Sequence, residues 1–284
     1  MKKLPLVLCF IAQGAVCLFA QTSTHQGFFD HWEARASAAQ SKQPGWSVPV
    51  FTATTALIQV ARIDLFRQVT PALTTTWNLD GSKGVNLIPC DKTELDFNLP
   101  PYIQHNVAGV PDGFGDLSFA GKYLIASGNE KHGNYTFMAL FAASIPTGSY
   151  KNGANGATFT PTIGGGKGFG AFDVQSTLAA TLPHTTTALN TAGRAVAWNT
   201  VAQWHVRKYF WPEMESNATY FVGGANDGKM QEFVMPGIMA GKFALHPGVP
   251  HSRPGIAIGG GMQIATSHFH AYNHALVITA RWLF

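Results

Sequence analysis

The sequence predicts an all-β fold: a transmembrane antiparallel β-barrel of about 12 strands, preceded by a short N-terminal helix. Three observations lead there. Charged residues make up 12% of the chain, about half the roughly 25% typical of a soluble domain, and too few to cover a soluble surface. Beyond residue 20 no run reads as a membrane helix, because uncharged stretches such as "RPGIAIGGGMQIATSHFHAYN" are full of Gly, Ser, Thr, Asn and His. From Gly45 onward, runs of about ten residues alternate apolar with polar and stop at Gly, Pro, Asn or Asp, as in a meander of hairpins. Few charges without spanning helices fit a barrel whose outer face meets lipid while its lumen stays polar.

The chain opens with "MKKLPLVLCFIAQGAVCLFA", in which Lys2 and Lys3 precede an apolar run that ends at Ala20 before polar "QTST". This is the pattern of a secretory leader; Gln13 and Gly14 break the run before it reaches the roughly 20 apolar residues of a spanning helix. Cleavage would take Cys9 and Cys17 away, so disulfides are not expected to hold the mature chain together. It would also leave 17 Lys+Arg against 15 Asp+Glu, two fewer than the 19 of the full chain. So small a balance implies no nucleic-acid partner. The expected division is a leader over 1–20, an N-terminal periplasmic segment over 21–46 and the barrel over 47–284. Within the second, Phe28 to Gln43 carries good helix formers and stops before Pro44.

Strands are expected near 67–78, 84–89, 93–103, 115–127, 134–146, 157–165, 170–183, 194–207, 210–223, 231–245, 254–266 and 274–284. "SVPVFTATTALIQVARIDLF" is an alternative source for one of the first two. Alternation is plain in "FDVQSTLAATL", where Phe172, Val174, Leu178 and Leu182 oppose Asp173, Gln175, Thr177 and Thr181. An even number of strands leaves both termini in the periplasm, with short turns on that side and long loops outside, as in bacterial outer-membrane barrels. The last strand turns Leu276, Ile278, Ala280, Trp282 and Phe284 to lipid and Thr279 and Arg281 inward. Phe284, a C-terminal aromatic residue after alternating apolar positions, resembles the signal read by the barrel assembly machinery.

In this register the lumen is lined by Glu94, Asp96, Asp116, Lys122, Asp173, Gln175, Asn199, Gln203, His205, Arg207, Glu213, Glu215, Asn217, Glu232, Lys242, Gln263 and Arg281. Both signs are present, so these residues either cross-link the wall or line a narrow path.

The stretches "LPPYIQHN", "DGFGDLSFAGKYLI", "FAASIPTGSY" and "ALVITARWLF" together resemble the family of outer-membrane proteins named for the MetA pathway of phenol degradation, over roughly residues 93–284. The most specific piece is "GFGDLSFAGKY", Gly113 to Tyr123. The resemblance implies an outer-membrane channel for small hydrophobic or aromatic solutes, with outer-membrane lipid as its surroundings.

Other chemistry is weakly marked. His268, His270 and His274 in "SHFHAYNH" are the densest histidines and the only metal candidates, but no Cys or carboxylate joins them, so no metal and no cofactor is expected. No Ser or Thr beside His184, His205 or His251 sits in a motif that orients a base, so no catalytic residues and no enzyme are expected. "GGGKGFG" (Gly164 to Gly170) precedes a strand and has no Ser or Thr after its Lys, which disqualifies it as a phosphate loop. The alternatives to a channel are a structural barrel without an open pore and a lipid-modifying barrel enzyme.

Overall fold

The computed structural model describes residues 27–81, 83–154, 156–248 and 253–284; the expected leader lies outside them. Alternating inward and outward side chains, repeated along the chain, can bury one face only by closing the sheet on itself. One antiparallel sheet does so. Its strands are β1 (Val60–Val69), β2 (Thr75–Asp80), β3 (Gly84–Cys90), β4 (Thr93–Asn98), β5 (Tyr102–His105), β6 (Gly113–Phe114), β7 (Leu117–Gly128), β8 (Tyr135–Ile145), β9 (Thr158–Phe169), β10 (Phe172–Pro183), β11 (Arg194–Trp204), β12 (Phe210–Val222), β13 (Met230–Ala244), β14 (Gly255–Ala265) and β15 (His274–Leu283). β15 pairs with β1 along its whole length, from Val60 opposite Leu283 to Val69 opposite His274, and this seam closes the barrel.

The fifteen segments occupy twelve positions around the wall, because β2 with β3, β4 with β5, and β6 with β7 each follow one another at a single position. The three interruptions lie side by side. Asp80, the last residue of β2, and Gly81 take positive φ (86° and 62°), Pro100 and Pro101 stand between β4 and β5 without a donor to offer, and Gly115 and Asp116 separate β6 from β7. Leu99 N–H to Lys83 O (3.1 Å) and Gly115 N–H to Pro101 O (2.8 Å) bridge the discontinuity.

The start of the wall differs from the expected strand over 67–78. Pro71 lies inside that span, and the chain turns there, with Leu73 N–H donating to Thr70 O at 2.9 Å and Leu73 at φ 61°. The first strand therefore begins earlier, at Val60. Its alternation is disguised by an inward Arg62–Asp64 ion pair (2.6 Å). The second position runs from Thr75 to Cys90 rather than over 84–89.

Outward positions such as Ile163, Leu178, Ile278 and Trp282 are exposed, and their neighbours Thr177, Thr279 and Arg281 are buried. One cluster of polar groups on the outer face is satisfied internally: Trp198 Nε1–H donates to Ser176 Oγ (2.8 Å), which shares a bond with Thr200 Oγ1 (2.9 Å).

Helix α1 (Phe28–Ser41) lies at the end of the barrel where the chain also terminates. Its Ala36 and Ala39 pack on Leu57, Ile88, Leu124 and Met138. A second, short helix, α2 (Thr186–Thr191), sits in the β10–β11 loop at the opposite end, capped by the Thr185 side chain.

Phe284 is held at the rim. Its backbone oxygen accepts from Arg253 Nη2 (2.9 Å) and Gln59 Nε2 (3.2 Å), and Arg253 Nη1 also donates to Ser37 Oγ (2.8 Å). Deleting Phe284 is expected to lower the amount of folded barrel in the outer membrane, read as heat-modifiable, protease-resistant protein. Normal levels would refute a role in assembly.

Candidate functional site

The polar side chains that alternation turns inward meet part of the chain itself. Residues 47–59, expected as part of the barrel wall, lie inside it. Gln43 and Leu57 exchange two hydrogen bonds (Gln43 Nε2 to Leu57 O, 2.6 Å; Leu57 N–H to Gln43 Oε1, 2.9 Å), so the chain between them forms an Ω-shaped loop. This strap rises into the lumen and returns.

An irregular segment shut away from water must find partners for its backbone groups, and here the wall supplies them. Val50 N–H donates to Glu213 Oε1 (2.8 Å), Phe51 and Thr52 N–H to the two oxygens of Glu215 (2.7 and 2.6 Å), Thr55 N–H to Gln175 Oε1 (3.1 Å) and Ile58 N–H to Glu94 Oε2 (2.5 Å). In the other direction Lys122 Nζ donates to Ala56 O (3.0 Å), and Arg281 binds Val48 O and Pro49 O. The carboxylates Glu213 and Glu215, buried without an ion-pair partner among the described residues, are thus met by aligned N–H groups.

Apolar contacts complete the seal. Val50 packs with Phe66, Trp211, Met235, Met239 and Val277. Trp46 fills the space above Gly166, and Met138 the space above Gly164, where a Cβ would collide with them. The glycines of "GGGKGFG" therefore make room for the strap and the side chains around it.

Of the residues expected to line the lumen, Glu94, Asp96, Lys122, Asp173, Gln175, Gln203, Glu213, Glu215, Asn217, Gln263 and Arg281 are inward and buried. Asn199 is inward and half-buried, accepting from Asn217 (3.2 Å). His205 stacks on Trp211 with ring centroids 4.0 Å apart. Lys242 sits at the rim against Gly255. Three others stand elsewhere. Asp116 is spent on the β8–β9 loop, accepting from Gly148 N–H (2.8 Å) and Ala154 N–H (2.7 Å). Arg207 lies in the β11–β12 turn at φ 57°. Glu232 is on the outward row of β13, bonded by Ser216 Oγ (3.3 Å). Alternation misleads there because turns and rims leave the strand period. The histidines expected as metal candidates do not converge: both ring nitrogens of His270 bond to Ser267 O and Asn273 Oδ1 (2.9 and 3.0 Å), and His268 is exposed. Among the described residues no three His, Cys, Asp or Glu side chains form a metal set.

The Lys122–Glu94 pair (2.7 Å) is almost wholly buried, with side-chain exposures of 3% and 0%. Replacing Lys122 by Met leaves Glu94 charged and uncompensated, and is expected to cost about 3–5 kcal/mol, measurable as a lower unfolding midpoint in urea. A loss under 1 kcal/mol would mean that Asn86 and Ile58 N–H already suffice for Glu94.

Above the strap the lumen changes character. The inward residues of the outer half, among them Ala142, Thr160, Ala179, Thr181, Ala197 and Thr219, are small, uncharged and only half-buried, and Ala53 at the strap's tip is exposed. They line an open vestibule. At its mouth Tyr272 stacks on Phe233 (4.3 Å) and donates to Gln263 Oε1 (2.8 Å); burial pushes its phenol up from the ordinary value.

The family described as "Putative MetA-pathway of phenol degradation" matches residues 50–249. The chain belongs to this family. The fold of this MetA-pathway family member is also that of a solved structure, an outer membrane channel from Pseudomonas putida F1, with a TM-score of 0.56 and 13% identity over 80% of this chain and 96% of the other. Among curated proteins nothing matches.

Proposed function

We propose that the chain is a passive channel of the outer membrane for small, uncharged, hydrophobic or aromatic solutes. The observation that carries this reading is the division of the lumen: an open vestibule lined by methyl and hydroxyl groups stands above a strap that fills the rest. A hydrated ion finds no charged partner in the vestibule walls named above and meets a packed floor. A neutral apolar solute loses little on entering such walls. Beside the lumen, β2–β3, β4–β5 and β6–β7 are interrupted at one level, which supports a sideways departure into the bilayer. The likeness to an outer membrane channel and the family match support the channel role and the location. Outer-membrane lipid and the barrel assembly machinery are the partners this reading implies.

In liposomes, the purified protein is expected to speed uptake of small aromatic compounds, and Ala179→Trp, which crowds the vestibule, to slow it several-fold. Gly259, also inward, packs against Met239 and Ile238 O, so a bulky residue there tests packing instead. A barrel that folds but moves no solute would leave a structural role. Release of fatty acid from the vesicles would favour an enzyme.

A further inference from the structure

Helix α1 carries an apolar stripe that the barrel covers only in part. Ala36 and Ala39, toward its C-terminal end, are shut away against Leu57, Ile88, Leu124 and Met138. One turn earlier Trp32 meets the rim of the wall: its Nε1–H donates to Gln59 Oε1 (2.8 Å), and Gln59 Nε2 donates on to the carbonyl of Phe284 (3.2 Å). Another turn, about 6 Å along the axis, brings the stripe to Phe28, with Phe29 beside it. Both are uncovered, at 59% and 78% exposure. The rings are gathered into a cluster, Phe28 standing 5.5 Å from Phe29 edge to face and 5.8 Å from Trp32. Such a knot of aromatic rings facing water is costly, and it points to something that covers it.

We propose that the aromatic tip of α1 is a membrane anchor, its rings seated in zwitterionic phospholipid of the leaflet at this end of the barrel. The lipid-facing band of the wall reaches the same rim. Phe169, Phe172 and Trp204 stand side by side there and are exposed, and on β15 the exposed Trp282 lies 5.8 Å from Phe284, ring to ring. Rows of outward aromatic residues at a barrel's rim mark the level of the lipid headgroups. Gln59 links Trp32 to Phe284 at the end of that band, so the tip of α1 continues it. The local charge selects the kind of lipid. Residues 28–34 include Asp30 and Glu33 but no Lys or Arg, and Arg35 turns its guanidinium over the Trp32 ring (5.4 Å). Apolar burial rather than attraction to anionic headgroups therefore drives the contact. Gln43, two residues past the end of α1, closes the strap on Leu57, so a seated tip also holds the foot of the strap at the rim.

The test places a photoreactive benzophenone amino acid at Phe29, at Trp282 or at Glu33 of the full chain, reconstituted in phosphatidylcholine liposomes and irradiated. Mass spectrometry of the intact chain then reads the addition of one phospholipid. Trp282, on the lipid-facing row, is the positive control, and Glu33, exposed on another side of α1, is the comparison. The adduct at position 29 is expected within about threefold of that at 282 and about tenfold above that at 33. Heat-modifiable migration reports whether each variant is folded, and Phe28 takes the probe if the chain altered at 29 is not. A lipid adduct at 282 with none above the level of 33 at the tip overturns the proposal. So does a cross-link from the tip to a second chain, which would make the cluster a contact between copies.

Discussion

Removing the strap is expected to turn a nearly silent barrel into a steady ion conductor. With Trp46 to Ala56 replaced by a short Gly-Ser linker, Glu213, Glu215, Gln175 and Lys122 lose the backbone groups that now occupy them and face an open lumen. Water then replaces the lost partners, and twelve strands without a plug leave a passage that small ions can cross. In planar bilayers the full chain should pass little current, while the deletion variant gives stable steps that grow linearly with voltage. The excess of buried carboxylates should make those steps favour cations. Equal currents from both proteins would show that the strap does not seal the lumen.

The second large effect is a contrast between adjacent residues. Leu178→Arg puts a charge against lipid and should cost about 2–4 kcal/mol near the midplane, whereas Ala179→Arg reaches a watery vestibule and should cost less than half as much. Alternation alone suggests the same leniency at every inward position, Thr177 and Thr279 included. The structure removes them from that set. Both are buried, at 3% and 1% exposure, where an arginine would be overpacked and short of solvent. Arginine at Thr177 should therefore be about as damaging as at Leu178, and urea unfolding of the three variants in detergent measures the order.

The wall was largely legible because lipid imposes one rule on all strands. From β7 to β15 the alternation that separates Leu178 from Thr177, or Ile278 from Thr279, locates each strand to within a few residues. At β1 the rule is masked, since Arg62 and Asp64 make the inward face charged and the preceding "SVPVFTATTALIQ" is as rich in Thr and Ala as a strand. The strap has no period of its own: its conformation is set by Glu213, Glu215 and Gln175, residues more than 100 positions away. Its trace in the sequence was indirect, a lumen with too many carboxylates and amides to be left unpartnered, and inward glycines at 164, 166 and 168 with nothing evident to admit.

The strap precedes every strand of the wall in the sequence, yet its partners reach as far as Arg281 in β15. Arg62 of β1 and Arg281 of β15, opposite each other at the seam, both bind carbonyls of the strap, so the seated strap ties the two closing strands together. Such distant pairings make assembly slow. Damage to the strap should accordingly appear first as barrels that fail to close, and only in the survivors as altered passage.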